Sequence, residues 1–147
     1  MKKLVLTVRE NPDLPLPVKK YEGDIGFDIV AAESVLLMPG RCHLVKSNHR
    51  FVLPPGTWAD VRGRSGLSSK GIWVATGLID TNYRGVVGVV MTNIDQVPFA
   101  IEPGDRIAQI VFMPDPNVEL EEVSPDDPRL IKNTSRGAAG FGSTGIK

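Results

Sequence analysis

Four stretches of the 147-residue chain gather side chains that chemistry could use. "GRSGLSSKG", Gly63 to Gly71, sets Arg64 and Ser65 against Gly66, whose bare backbone lets a ligand approach closely. Backbone N–H groups of such a turn, with a hydroxyl and a guanidinium beside them, make a nest suited to phosphate. An ordinary turn containing an arginine reads the same way. Leu67 rules out a nucleophile elbow, and the spacing does not fit a P-loop. "TGLIDTNYRG", Thr76 to Gly85, carries Asp80 after an apolar pair and Tyr83 after Asn82 in a hairpin-like segment. An aspartate there caps its turn. A carboxylate ionised at neutral pH can equally direct and deprotonate a water attacking phosphorus.

Two more stretches hold polar groups inside apolar strands: Asp28 in "GFDIVAA" and Gln109 in "GDRIAQIVF". Left unpaired and buried, such groups cost about 1–3 kcal/mol each, so both need partners. Core hydrogen bonds would satisfy them. Alternatively Asp28 faces a divalent cation, and Gln109 donates an amide N–H to a phosphate oxygen. Cys42, His43 and His49 lack zinc-like spacing, so a metal would arrive with a phosphate ligand. The chain then ends on "RGAAGFGSTG", Arg136 to Gly145, with four glycines around Arg136 and Phe141.

The elements that must position these residues are short and rich in β-branched side chains. Candidate strands are "LVLTV", "FDIVAA", "SVLLM", "CHLVK", "FVLP", "WADVRG", "GVVGVVMTN", "FAIEPG", "RIAQIVFM" and "VELEEV". Turn chemistry separates them, as in "MPGR", "LPPGT" and "EPGDR". Many short strands at regular spacing predict an all-β sandwich or barrel. Helix is confined to a turn or two at "SGLSSKG", closed by Gly71.

The length and a 41% hydrophobic content fit one compact domain. Seventeen basic side chains balance seventeen acidic ones, so no overall field draws in nucleic acid or an anionic membrane, and an anion must be gripped locally. Cys42 is alone, which precludes an internal disulfide and suits the cytoplasm. No signal peptide or membrane span is expected. From about Pro128 the apolar alternation stops, and Arg129, Lys132, Arg136 and Lys147 follow the acidic "ELEEVSPDD". A β domain over residues 1–132 and a flexible arm over 133–147 are the expected division, the glycines leaving the arm mobile until ligand contacts offset its ordering.

In chain order, "GFDIVAA", "GRSGLSSKG", "TGLIDTNYRG", "GDRIAQIVF" and "RGAAGFGSTG" resemble the five motifs of the homotrimeric deoxyuridine triphosphatase family. The resemblance implies a β-barrel or jelly roll and hydrolysis of dUTP to dUMP and pyrophosphate. It also implies Mg²⁺ on the triphosphate, ordered through water by Asp28. Arg64, Ser65, Gly66 and Gln109 match phosphate-contacting positions, and Asp80 matches the base. Tyr83 matches the aromatic against the sugar. The backbone around Gly77 and Ile79 would pair with the uracil edge. Arg136, Phe141, Gly142 and Ser143 would close over the nucleotide, with Phe141 on the base. A homotrimer with shared sites is the implied assembly.

Asn82, Ser68, Val86 and Ile25 depart from common family choices without removing a named role. Two rival readings go with the resemblance. A dCTP deaminase would need a carboxylate beside the ring, which "GVVGVVMTN" does not offer. A non-catalytic nucleotide-binding module is opposed by the retained Asp80, Tyr83, Gln109 and tail.

Overall fold

The computed structural model describes residues 1–75, 77–130 and 134–146. It divides into two compact units, residues 1–117 and 118–147. The expected boundary at 132/133 lies outside the described residues, as do Thr76, Lys132 and Lys147.

The first unit carries the strands: β1 (Leu6–Arg9), β2 (Phe27–Val30), β3 (Val35–Leu37), β4 (Cys42–Lys46), β5 (His49–Val52) and β6 (Thr57–Arg62). After a single helical turn, α1 (Ser65–Ser68), come β7 (Ile72–Val74), β8 (Gly77–Ile79), β9 (Gly88–Asn93), β10 (Phe99–Ile101) and β11 (Arg106–Pro114). All strand pairs are antiparallel, in the orders β2-β11-β6-β8, β4-β9-β7, β1-β5 and β3-β10. The all-β expectation is met, and the helix falls where Gly71 was expected to close it, at φ +81°.

The core follows from strand alternation. Ile29, Val61, Ala108 and Ile110 point inward from the four-stranded sheet, and Val45, Val89, Met91 and Ile72 from the three-stranded one. Phe27 and Phe51 both meet Phe112 edge-on, with ring centroids 5.7 and 5.6 Å away. On the other face of β6 stand Trp58, Asp60 and Arg62, set by register beside Met113, Val111 and Gln109 of β11. A bulge in β11, where Arg106 pairs with Val30 but Ala108 with Ile29, lets the consecutive Ile107 and Ala108 both be buried.

Three expectations need correction. "VELEEV" forms no strand: Val118 and Leu120 are exposed, and Glu121 instead pairs with Arg129 in the second unit. Alternation alone cannot supply a neighbouring strand to pair with. Strands β7 and β8, each three residues long, were not expected from the sequence. Finally, the segment from 77 to 85 is not a hairpin with a ladder of its own. β8 pairs with β6 and β9 with β4 and β7, so its two flanking strands belong to different sheets.

In the second unit a 3-10 turn, Pro128–Leu130, precedes the glycine-rich stretch. Arg129 bridges Glu121 and Asp127 and lowers both carboxyl pKa values by hydrogen bonding.

His49 is fully buried, and its Nε2 accepts from the Val30 N–H at 3.2 Å. Its Nδ1 has no partner among the described residues. Burial, reinforced by the positive charge of Arg9, lowers its pKa from 6.5 to about 4. The unfolded chain therefore binds the extra proton in this window. Stability is full above pH 6.5, falls as pH drops toward 4, and loses nothing further from this group below that. The total is roughly 3 kcal/mol. We expect denaturant midpoints to fall between pH 6.5 and 5 and His49→Phe to flatten that slope. An unchanged slope in the variant would refute the assignment.

Candidate active site

Asp28 and Gln109 stand directly opposite one another on β2 and β11. Each has the partner that burial demands. Arg64, at the N-cap of α1, donates from Nε to Asp28 Oδ1 at 3.0 Å and from Nη1 to the Arg106 carbonyl at 3.2 Å. Arg106 approaches the other oxygen, Oδ2, at 3.8 Å. Gln109 donates from Nε2 to the Gly63 carbonyl at 2.9 Å, tying the strand to the loop before α1. The first, second and fourth sequence motifs thus converge at one end of the four-stranded sheet.

Next to this cluster lies a cavity of about 490 Å³, lined in part by Asp28, Arg62, Gln109, Lys20 and Gly26. At Gly26 a Cβ would run into the Gln109 Oε1, so any larger residue there must push that side chain aside. Around Gly66, by contrast, a Cβ would meet nothing within 4 Å, so the space over the first turn of α1 is open. Ser65 and Gly66 begin that turn, where backbone N–H groups have no partner inside the helix.

Gly77 and Ile79 lie on β8, the edge of the same sheet, whose outer side offers unpaired backbone groups. Asp80 follows at once and is exposed. It lines a second cavity of about 430 Å³ with Trp58, Leu78, Thr81, Asp115 and Pro116. The turn is closed by the Tyr83 N–H on the Asp80 carbonyl at 3.0 Å. Arg84 donates to the Thr81 and Tyr83 carbonyls, and the Tyr83 hydroxyl donates to the Val86 carbonyl at 2.8 Å. The phenol lies over Gly85, where a Cβ would collide with it.

Asp80 and Gln109 are not brought together within this unit. By register Gln109 stands opposite Arg62, while Asp80 continues the β8 ladder opposite Trp58. Four residues along a strand span about 13 Å, and two strand spacings add roughly 10 Å sideways. One water cannot bridge that separation.

In the second unit Arg136 donates from Nε to the Ala139 carbonyl at 2.9 Å, and the Ala139 N–H returns to the Arg136 carbonyl at 3.1 Å. Phe141 is fully exposed and has φ 49°, unusual for a residue with a Cβ, and Gly142 follows at φ 90°. The Ser143 N–H closes the local turn on Gly140.

Sequence reasoning missed Arg106, Arg62 and Asp115. Arg106 lies in the "GDRIAQIVF" stretch; its tie to Asp28 depends on the bulge, which no periodicity reveals. Among the described residues no three His, Cys, Asp or Glu side chains gather to hold a metal. Asp28 Oδ2, with Arg106 no nearer than 3.8 Å, keeps room to accept from a metal-bound water. Nor is any described helix long and apolar enough to cross a membrane.

Comparison with known proteins agrees with this geometry. The dUTPase family model matches residues 13–145. The deoxyuridine 5'-triphosphate nucleotidohydrolase of Mycobacterium bovis BCG is 42% identical over 142 residues, covering 94% of this chain and 92% of its own. That of Cowpox virus is 37% identical, covering 95% and 92%. Among solved structures, a Staphylococcus bacteriophage 80alpha dUTPase mutant with dUpNHpp superposes with TM-score 0.82 at 25% identity, covering 99% of this chain and all of its own. A dUTPase mutant from phage phi11 of S. aureus, with a structural Mg(II) ion, gives TM-score 0.75 at 26% identity and covers 82% and 96%. An all-β nucleotide hydrolase is the class that fold and relatives define. The chain belongs to the dUTPase family.

Because Gly26 presses against Gln109, Gly26→Ala should displace the amide and break its bond to Gly63. The expected result is weaker binding of a nucleoside triphosphate by about tenfold, with the melting temperature shifted by only a few degrees. Calorimetric titration with a non-hydrolysable analogue measures it; unchanged affinity would show that the amide position is immaterial.

Proposed function

We propose that the chain is a dUTP diphosphatase, hydrolysing dUTP to dUMP and pyrophosphate and so limiting uracil in DNA while supplying dUMP for thymidylate synthesis. The observation that carries this reading is the convergence of Asp28, Arg64 and Gln109 beside the open first turn of α1. Membership of the family supplies the substrate.

In this mechanism the triphosphate lies over Ser65 and Gly66. Their backbone N–H groups, the Ser65 hydroxyl, the second amide hydrogen of Gln109 and the guanidinium groups of Arg64 and Arg136 take up its charge. Asp80 directs a water in line at the α-phosphorus and accepts its proton as the new P–O bond forms. The bond to the bridging oxygen breaks, and pyrophosphate departs with that oxygen. Asp28 would hold Mg²⁺ through water, the triphosphate itself supplying direct ligands; when bound, the ion withdraws charge from the phosphates.

Base selection belongs to β8. The outer edge of this strand, where the Leu78 backbone between Gly77 and Ile79 faces away from β6, can pair with the donor and acceptor pattern of uracil. Cytosine reverses that pattern, a mismatch able to discriminate by about 10⁴ or more. Thymine keeps the pattern, so its methyl must be refused sterically. Tyr83 packs against the deoxyribose, and Phe141 closes over the base with Gly142 and Ser143. The tail, residues 133–147, acts as a lid ordered by nucleotide.

The separation of Asp80 from Gln109 supports sites shared between copies, and the family resemblance implies three: the phosphate-gripping residues from one copy, β8 and Asp80 from a second, the tail from a third. The exposed free thiol of Cys42 fits a reducing cytoplasm.

Asp80→Asn should retain nucleotide affinity but lose at least about 10³-fold in kcat, read as pyrophosphate release. A near-normal rate would remove the base. Gln109→Ala alone should be slow through lost phosphate contact. After refolding together, the two variants should regain part of the wild-type rate, because mixed trimers assemble sites with neither lesion. No recovery in verified mixed trimers would exclude sharing.

A further inference from the structure

The turn that presents Asp80 is bonded mostly to itself. The Arg84 guanidinium, the Tyr83 hydroxyl and the Tyr83 N–H all find acceptors between 80 and 86. Such bonds fix the shape of the turn, yet they do not fix where it sits. Among its described side-chain hydrogen bonds, one reaches another strand: the half-buried Thr81 hydroxyl donates to the Thr57 carbonyl of β6 at 2.6 Å.

The register explains why this bond matters. β6 and β8 pair Val61 with Gly77, Asp60 with Leu78 and Ala59 with Ile79, where the ladder ends. Continued two steps, it sets Trp58 opposite Asp80 and Thr57 opposite Thr81. A side-chain hydroxyl therefore serves as the rung that the backbone no longer makes. Asp80 is held from both sides, by the last ladder pair before it and by the Thr81 hydroxyl after it. The β-branched threonine has few χ1 choices, which keeps that hydroxyl on its acceptor.

We propose that Thr81 is a positioning residue for Asp80, acting through the Thr57 carbonyl to hold the carboxylate at a fixed height beside the end of β6. This rests on the reading of Asp80 as the base. Thr81 itself touches no reacting atom in the mechanism. Its contribution is orientation, and misplacement of a reacting group by about 1 Å can cost on the order of 10²-fold in rate.

The test is steady-state hydrolysis of dUTP by the full-length protein, with melting temperature and trimer mass measured alongside. Thr81→Val, which keeps shape and removes the hydroxyl, should lower kcat by about tenfold or more while KM stays within about twofold. Thr81→Ser should restore most of kcat. Should valine misfold, Thr81→Ala reads the same loss without added bulk. Combined with Asp80→Asn, Thr81→Val should cost nothing further, since the group it positions is already disabled.

Wild-type kcat in folded valine or alanine variants would overturn the proposal, as would a serine variant as slow as valine. An additional loss on the Asp80→Asn background would do the same, by showing that Thr81 acts on something else. The two failures separate cleanly. A fast Asp80→Asn enzyme removes the base and Thr81's role with it, whereas a slow Asp80→Asn with a fast Thr81→Val removes only the positioning.

Discussion

The register of β6 against its two neighbours is the constraint on which the rest depends. Hydrogen-bonded to β11 on one side and β8 on the other, this strand fixes Gln109 near its C-terminal end and Asp80 near its N-terminal end. A one-residue slip would turn Ala59 and Val61 out of the core and bring Asp60 and Arg62 in, so the hydrophobic pattern locks the spacing firmly. The separation between the two polar ends is therefore a property of the sheet, not of a flexible loop. It is also what makes one copy of the chain insufficient for the proposed chemistry.

At the phosphate end, electrostatics and shape depend on each other. Asp28 would be an expensive residue on a half-buried strand without the Arg64 guanidinium at 3.0 Å, and Arg64 is held at the helix entrance by that same carboxylate. Gln109, bound to Gly63, holds the loop from the other side. The nest is thus braced before any ligand arrives, which reduces the ordering a bound triphosphate would have to impose.

Much of this was legible in the sequence. Short β-branched runs separated by Pro-Gly and Gly-Asp turns led to the right fold class, and polar residues inside apolar strands marked Asp28 and Gln109 as groups needing partners. What stayed hidden depends on three-dimensional pairing. The strand Ile72–Val74 is defined by its pairing with β9, and the bulge that carries Arg106 to Asp28 leaves no trace in the pattern. "VELEEV" alternates like a strand, but nothing in the letters says whether a neighbour is available. What Val86 gives the turn is visible only in the fold: Tyr83 bonds to its carbonyl, a contact that does not depend on its side chain.

The phenol of Tyr83 rests so closely on Gly85 that even one methyl group there would evict it. Across descendants of this chain, therefore, the two positions cannot drift independently. A lineage that acquires alanine at 85 must move the aromatic ring from its present seat even while it keeps the tyrosine.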